Sequence, residues 1–201
     1  PIAQCLIDAL ARVHDQQKAY VMTGNREFLI HARIPGAAAN TRFDAQTGAQ
    51  LLEDPTVLSV GEQRVLLMHG DSLCTDDTEY QQQRRQARDT KWQQEFLSRS
   101  LAERQAIAAS LREQSKQTNR DKSPVLMDVN LQAVESAMRQ SGCETLLHGH
   151  THRPGQHAWA GEKGQRMRIV LPDWDVSDKR GGFVRISAHG LQCLPANPPS
   201  C

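Results

Sequence analysis

The stretch LLHGHTHRP, residues 146–154, places three histidines within five positions, directly after an apolar run. The apolar residues predict a buried strand, and the glycine and proline predict a tight loop after it. Imidazoles this close together repel one another when they are protonated, which disfavours an accidental cluster. Metal binding would explain the cluster, because neutral histidine is the commonest metal ligand in proteins.

Two earlier loops have the same design, in which an apolar run ends and a short glycine-containing loop follows with side chains that can bind metals. They are VMTGNRE (21–27), which carries Asn25, and VLLMHGD (65–71), which carries His69 and Asp71. Loops at the carboxyl ends of strands converge on one crevice in an open α/β sheet, so the three loops are expected to meet there. Histidine and asparagine suit a divalent ion such as Mn²⁺, Fe²⁺ or Zn²⁺.

Each of these residues also has a simpler interpretation. A single histidine after a strand is more often structural, and asparagine after glycine is most often a turn residue. The three loops together, in this order, favour a metal site. A tight turn at His150-Thr151-His152 can aim the two rings at neighbouring ions, and another imidazole of the loop remains for a substrate or for support of a ligand.

The composition argues against several classes of protein. The chain has 201 residues, of which 24 are basic and 23 acidic, and this balance disfavours a protein that binds nucleic acid through bulk charge. The five cysteines are widely spaced and form no CxxC motif, which disfavours a disulfide framework and favours a reduced cytoplasm. No apolar run approaches the roughly 18–20 residues that a membrane-spanning helix needs.

The predicted elements alternate between helix and strand and end in a β-rich segment, which favours a single α/β domain. Residues about 78–122 are rich in Gln, Arg and Lys and predict a helical insertion, or lid, with two amphipathic patterns. The first pattern contains Trp92, Phe96 and Leu97, and the second begins with the capping-box spacing of Ser100 and Glu103.

Further elements are predicted on both sides of the insertion. Before it, we expect a helix at 2–15, a strand at 18–24, an exposed excursion at 35–48, and two strands within 56–71 that are joined at Gly61. After it, we expect a helix at about 129–142 with Leu131, Val134 and Met138 facing inward and Gly142 as its C-cap. The strand of LLHGHTHRP and two closing strands, at 165–175 and 181–194, complete the pattern.

The three loops resemble known motifs. GNRE, MHGD and GHTH resemble signature blocks of the calcineurin-like metallophosphoesterases. Four longer blocks narrow the resemblance to the UDP-2,3-diacylglucosamine pyrophosphohydrolases within that superfamily. They are MHGDSLCTDDTEYQQQRRQAR (68–88), SKQTNRDKSPVLMDVN (115–130), LLHGHTHRPGQH (146–157) and IVLPDWD (169–175). The resemblance runs from residue 1 to about residue 195, and it implies a layered αββα sandwich with a helical lid.

The resemblance also implies a site with two divalent metal ions, with Mn²⁺ as the expected metal. The implied metal ligands are Asn25, His69, His150 and His152, with His150 and His152 serving different ions. His150 is also the implied catalytic residue, close to the substrate. The implied substrate-binding residues are Asn25, Arg26, Asp77, Ser115, Asn119, Lys122 and His150, with Arg26 on a phosphate. Without the resemblance, Asp77 would be interpreted as a turn residue and Ser115 and Asn119 as solvent-facing residues, while for Lys122 an ordinary solvated lysine would stay as open as a phosphate-binding one.

The reaction that the resemblance implies is hydrolysis of the pyrophosphate bond of UDP-2,3-diacylglucosamine to UMP and 2,3-diacylglucosamine 1-phosphate (lipid X), a step of lipid A biosynthesis. The implied partners are this lipid-linked nucleotide and a membrane surface, with the protein peripheral on the cytoplasmic face of the bacterial inner membrane. We expect a monomer that binds no nucleic acid. Two alternatives stay open: a metallophosphodiesterase for a soluble substrate, and a metal-binding remnant without catalytic activity.

The main departure of the sequence from the family pattern lies at its start. The family opens with a DxH block and a GD block, which supply carboxylate ligands, and neither is present before Asn25. We therefore expect that the 201 residues are an N-terminally incomplete fragment of a longer protein, without the first strands of the fold.

The first prediction is that the 201 residues alone hydrolyse UDP-2,3-diacylglucosamine poorly or not at all in the presence of Mn²⁺, because a two-metal site without its bridging carboxylate holds its ions weakly. Release of UMP, followed by chromatography, measures this. Turnover at the level typical of the family would contradict the prediction.

Overall fold

The computed structural model describes residues 2–14, 17–25, 27–31, 42–120, 122–123, 125–162, 164–175, 177–178 and 180–195. The chain divides into two compact units. The first comprises Pro1–Leu52 and Asp77–Met127, and the second comprises Glu53–Asp76 and Asp128–Cys201. The region predicted to be the lid, about 78–122, therefore belongs to the first unit.

The first unit is mostly helical. Its elements are α1 (Ile2–His14), β1 (Tyr20–Met22), a 3₁₀ helix (Phe28–His31), α2 (Phe43–Thr47), β2 (Gln50–Leu52), α3 (Thr78–Ala87), α4 (Thr90–Leu97) and α5 (Leu101–Arg120). Strands β1 and β2 pair in parallel, with Tyr20 opposite Gln50. The excursion predicted at 35–48 lies partly outside the described residues, and α2 forms its later part.

The lid region contains three helices, where the sequence predicted two helical patterns. Each helix begins at its own cap: Asp77 accepts a hydrogen bond from Tyr80 N–H, and Asp89 accepts one from Trp92 N–H. At the third, the Glu103 carboxylate accepts from Ser100 N–H at 2.9 Å, as the capping box predicted. The pattern missed α3 because that helix has no buried residue and therefore no apolar stripe.

The second unit contains a five-stranded mixed sheet. Its elements are β3 (Thr56–Val60), β4 (Gln63–Met68), a 3₁₀ helix (Asp71–Leu73), α6 (Leu131–Ser141), β5 (Thr145–His148), β6 (Gly155–Gly161), β7 (Gly164–Val170), β8 (Gly182–Ser187) and β9 (Gly190–Pro195). The sheet order is β3-β4-β5-β7-β6, with β4, β5 and β7 mutually parallel and an antiparallel strand at each edge. Gly61, at φ 59°, turns β3 into β4 as predicted. The α/β class is confirmed.

Strands β8 and β9 form a separate antiparallel hairpin. The two closing strands that were predicted are therefore four, in two hairpins. The strand predicted at 165–175 corresponds to β7, and its partner β6 was not predicted. The residues of β6 are mostly exposed, and an edge strand lacks the apolar run of a buried strand. The single strand predicted at 181–194 is in fact β8 and β9, and Gly190 at φ 122° marks the turn between them.

The core of the second unit lies between α6 and the sheet. Leu66 on β4 and Leu146 on β5 pack there with Val134 and Met138 of α6, and all four are at most 2% exposed. Gly142, at φ 64°, ends α6 as predicted. Leu131 does not face inward; it is 66% exposed, because it is the first residue of the helix, directly after the N-cap Asn130.

No helix among the described residues is long and apolar enough to cross a membrane.

We expect Met138→Ala to lower the free energy of unfolding by about 2–5 kcal/mol, because it leaves a cavity in a fully packed core. Leu131→Ala on the same helix is the matched control and should change that free energy by less than about 0.5 kcal/mol, since the side chain is already in water. Urea denaturation followed by tryptophan fluorescence measures both. Similar losses in the two variants would show that the face of α6 is wrongly assigned.

Candidate functional site

Two of the three predicted loops leave the five-stranded sheet side by side. Strands β4 and β5 are parallel neighbours with Met68 opposite His148, so the next residues of both strands start their loops at the same level. The Gly149 N–H then donates to the His69 carbonyl at 3.0 Å, which joins the loops through their backbones. This arrangement follows from the rule that carboxyl ends of parallel strands gather at one edge.

His69 and His150 lie next to each other at this edge. Their ring centroids are 5.0 Å apart, with the ring planes inclined by 59°. Asp71, which is fully buried, places Oδ1 at 3.3 Å from His69 Nδ1. His69 Nδ1 is itself buried and makes no hydrogen bond to any described residue. A carboxylate beside one ring nitrogen of a histidine is a common way to orient the other nitrogen toward a metal ion.

The electrostatics of the site keep His150 uncharged. Burial is the main cause that lowers its pKa to about 4, and the positive charge that His69 would carry when protonated is the second. At neutral pH the ring therefore keeps a lone pair, as a metal ligand must. Both His150 (φ 65°) and His152 (φ 53°) adopt the left-handed backbone conformation, which is uncommon for residues other than glycine. This turn leaves His150 partly buried and His152 exposed.

His148, the first histidine of the cluster, points into the protein. It is fully buried, its Nδ1 lies 2.9 Å from the Gly149 carbonyl oxygen, and its Nε2 lies 3.5 Å from Arg168 Nη1. Burial is the main cause that lowers its pKa to about 4. A Cβ added at Gly70 would lie 2.8 Å from His148 Nδ1, so the ring packs directly on the His69 loop.

The donors of this site fit part of a divalent-ion centre. Imidazole nitrogens next to a buried carboxylate suit such ions. Among the described residues, however, no group of three or more His, Cys, Asp or Glu side chains is arranged to hold a metal ion. The 5.0 Å separation of their rings lets His69 and His150 act on the same ion or on neighbouring ions. A complete metal centre would need further donors in addition to these two.

The other predicted site residues lie in the first unit or outside the described residues. Asn25 belongs to the first unit, and Arg26 lies outside the described residues. Asn25 and Ser115 both line a cavity of about 380 Å³ in this unit, together with residues of α3, α4 and α5. Apolar side chains of Trp92, Ile107 and Leu111 form part of its wall. Asn119 lies in the last turns of α5.

Asp77 and Lys122 form an ion pair in the first unit. Lys122 Nζ lies 2.6 Å and 2.7 Å from the two carboxylate oxygens of Asp77, and the side chains are only 10% and 7% exposed. Glu79, which is largely exposed, adds a longer contact of 3.5 Å to the same ammonium group. The interpretation of Lys122 as an ordinary solvated lysine is therefore wrong. The pair ties the start of α3 to the segment that follows α5.

Comparison with known proteins assigns the family. No family model matches the chain. The UDP-2,3-diacylglucosamine hydrolase of Bordetella pertussis is 44% identical over 178 residues, which cover 87% of this chain and 66% of that protein. The protein of the same name from Chromohalobacter salexigens is 44% identical over 182 residues, covering 90% of this chain and 70% of the relative. The chain belongs to the UDP-2,3-diacylglucosamine hydrolase family.

The relationship extends over almost the whole chain. The family member from Pseudomonas putida is 39% identical over 198 residues, 97% of this chain and 77% of the relative. The chain spans about two thirds of the length of the Bordetella relatives, at 66%. The predicted membership of the UDP-2,3-diacylglucosamine hydrolase family is thus confirmed.

Sequence reasoning missed a polar network beneath the site of this UDP-2,3-diacylglucosamine hydrolase family member. Arg168 on β7 is buried and lies 3.7 Å from Asp128, which also accepts a hydrogen bond from Arg153 at 3.0 Å. Arg166, two residues earlier, is also buried and pairs with Glu135 and Glu144. The sequence did contain a signal for this network. Arg166 and Arg168 occupy alternate positions of a predicted strand, so both place charge on one face, and charge on a buried face needs partners.

We expect Lys122→Met to lower the free energy of unfolding of the first unit by on the order of 3 kcal/mol, because it leaves the buried Asp77 carboxylate without its cation. Glu79→Gln is the control, and it should cost less than about 0.5 kcal/mol since Glu79 is exposed. Urea unfolding followed by far-UV circular dichroism reports on the helices of this unit. Equal stability of Lys122→Met and the wild type would mean that the ion pair is not formed in solution.

Proposed function

We propose that this chain carries the activity of its family, metal-dependent hydrolysis of the pyrophosphate bond of UDP-2,3-diacylglucosamine, in lipid A biosynthesis. The observation that carries the proposal is the relationship itself, 44% identity to a UDP-2,3-diacylglucosamine hydrolase over 87% of the chain. In the proposed reaction, water adds to the α-phosphorus and the bond from that phosphorus to the bridging oxygen breaks. The products are UMP and 2,3-diacylglucosamine 1-phosphate.

We propose His69, His150, His152 and Asn25 as the protein ligands of two divalent ions, with Mn²⁺ as the preferred metal. The 5.0 Å separation of the His69 and His150 rings supports this assignment, as does the lowered pKa of His150. Bound ions would supply positive charge to the phosphoryl oxygens and lower the pKa of a bound water. Asp71 Oδ1 lies 3.3 Å from His69 Nδ1, so we propose that a small rotation of the ring lets it donate to this carboxylate and leaves its other nitrogen available.

The proposed substrate-binding residues suit a polyanionic linkage. Arg26 would bind a phosphate group through its guanidinium fork. The Lys122 ammonium has three donors, of which Asp77 engages two; the third, 3.5 Å from the exposed Glu79 carboxylate, would turn to a phosphoryl oxygen when substrate binds. Asp77 fixes the position of this cation in the absence of substrate. Asn119 and Ser115 would add neutral hydrogen bonds, and Ser115 lines the same cavity as Asn25.

The helices of the first unit suit the lipid part of the substrate. We propose that residues about 78–122 form a lid on a single metallophosphoesterase domain, and that the cavity lined by Trp92, Ile107 and Leu111 receives acyl chains. Leu101 and Leu111 on α5 are 63% and 47% exposed, and exposed apolar residues on a helix favour contact with a membrane surface. This supports peripheral association with the cytoplasmic face of the inner membrane.

A second candidate function is a metal-binding remnant without catalytic activity. The relatives argue against it, since the proteins that match at 39–44% identity are named as hydrolases. The cavity argues against the other alternative, a phosphodiesterase for a soluble substrate. A polar substrate would gain nothing from contact with the apolar side chains that line it.

The proposal predicts slow, metal-dependent release of UMP in a single-turnover assay with the protein in excess over UDP-2,3-diacylglucosamine, a regime that detects the poor turnover expected of the 201 residues alone. In ¹⁸O-labelled water, phosphorus NMR should find the label in UMP and none in the lipid phosphate, because water attacks the α-phosphorus. EDTA should abolish the reaction, and Mn²⁺ should restore it. UDP-glucose should not be hydrolysed, since it has no acyl chains.

Two variants complete this experiment. His69→Ala should lower the rate at least about 100-fold, as expected for loss of a ligand of the metal that stabilises the transition state. His189→Ala, an exposed histidine in the turn between β8 and β9, is the control and should leave the rate unchanged. Absence of UMP with every metal tested, from these 201 residues and also from a chain extended upstream with the DxH and GD blocks, would favour the remnant. Label in the lipid phosphate would exclude the proposed site of attack.

A further inference from the structure

The two histidine loops require a device that fixes one relative to the other. His69 and His150 come from different strands, and an imidazole donor works only if its position is set within a fraction of an ångström. Their backbones share one hydrogen bond, from Gly149 N–H to the His69 carbonyl. The β4–β5 ladder ends at Met68 and His148, so beyond it further contacts are needed to set the two rings relative to each other.

We propose that His148 is a positioning residue that locks the His69 loop and the His150 loop together. The inference rests on the proposed function only for its consequence, which is metal affinity. His148 is fully buried beneath both loops and lies at the end of β5, where Met68 is its partner on β4. Its backbone carbonyl accepts a hydrogen bond from Leu171 N–H at 2.8 Å, which fixes the backbone from which the ring projects.

The hydrogen bonds of the ring determine which nitrogen carries the proton. The Gly149 carbonyl oxygen, 2.9 Å from Nδ1, can only accept, and the Arg168 guanidinium, 3.5 Å from Nε2, can only donate. A neutral ring with its hydrogen on Nδ1 satisfies both partners. His148 thereby holds the carbonyl of the residue directly before His150, which is one end of the left-handed turn.

The same ring contacts the other loop through Gly70. A Cβ at Gly70 would lie 2.8 Å from His148 Nδ1, closer than real Cβ atoms approach, and 3.3 Å from both His148 Cβ and the Gly149 carbonyl oxygen, which is tight. Gly70 separates His69 from Asp71, so the ring packs against the point between these two residues. His148 therefore touches the His69 loop by packing and the His150 loop by hydrogen bonding.

A polar chain extends this support to His152. Arg168 Nη1 lies 3.5 Å from the His148 ring and 3.7 Å from Asp128 Oδ1. Asp128 accepts a hydrogen bond at 3.0 Å from Arg153, the residue after His152. The network therefore reaches the segments of three proposed ligands from below, without contributing a ligand itself.

Two substitutions of His148 separate hydrogen bonding from packing. His148→Asn keeps a donor near the position of Nδ1, whereas His148→Phe keeps a ring and has no donor. We expect His148→Phe to speed hydrogen exchange at the Gly149 amide by at least about tenfold relative to the amides of β5. It should also weaken Mn²⁺ binding, measured by EPR, by about 10–100-fold, the usual effect of losing support for a metal ligand. His148→Asn should restore most of both properties.

A second pair of variants tests the packing contact and covers the case in which His148→Phe does not fold. Gly70→Ala places a methyl group against the His148 ring, and it should also speed exchange at Gly149 and weaken Mn²⁺ binding. Gly190→Ala is matched for backbone strain, since both glycines have positive φ (108° and 122°), but no atom lies within 4 Å of its added Cβ. It should change neither property.

Each outcome decides the inference. Unchanged exchange at Gly149 in folded His148→Phe, equal losses in the Asn and Phe variants, or equal effects of Gly70→Ala and Gly190→Ala would each overturn it. If the wild-type protein binds no Mn²⁺, the metal part of the proposed function fails, and exchange at Gly149 still tests whether His148 locks the loops.

Discussion

The parallel pairing of β4 with β5 is the constraint on which the candidate site depends. Because Met68 is opposite His148, the residues that follow the two strands enter the same region of space. A shift of register by one residue would turn every side chain of β5 to the other face of the sheet and carry His150 away from His69. The apolar contacts of Leu66 and Leu146 with α6 prevent that shift, so the hydrophobic core sets the geometry of a polar site.

Burial has different consequences in the hydrophobic core and at the histidine loops. In the core it removes apolar surface from water and stabilises the fold. At the histidine loops it keeps His148 and His150 uncharged, since the cost of desolvation lowers both pKa values to about 4. The fold therefore supplies imidazoles that do not compete with protons at neutral pH. The cost is that these rings need specific partners, and Arg168 and the Gly149 carbonyl provide them for His148.

Much of the fold was predictable because its signals are local. The turn at Gly61, the capping box at Ser100 and the C-cap at Gly142 each depend on residues within one turn of chain, and each is confirmed. Helix α3 was not visible as a helix because a helix without buried residues has no apolar period. Strand β6 was missed for a related reason, since most of its side chains face solvent.

The candidate site also has features that local sequence predicts and features that it does not. The three loops could be found from residue type and glycine spacing, but the partners of their side chains could not. Lys122 and Asp77 are 45 positions apart, and Arg168 is 20 positions from His148, so neither pairing leaves a trace in a local pattern. The sequence was sufficient to propose the metal ligands, whereas the side chains that contact their loops are seen only in three dimensions.

The separate caps of the three lid helices have a consequence for how such proteins diverge. Asp77, Asp89 and Ser100 each start a helix independently, so the length of one helix is not coupled to the register of the next. Insertions or deletions in one helix would therefore change the length of that helix without shifting the residue at which the next helix begins. If, as proposed, the cavity that these helices line receives acyl chains, its length could change one helix at a time as such proteins diverge.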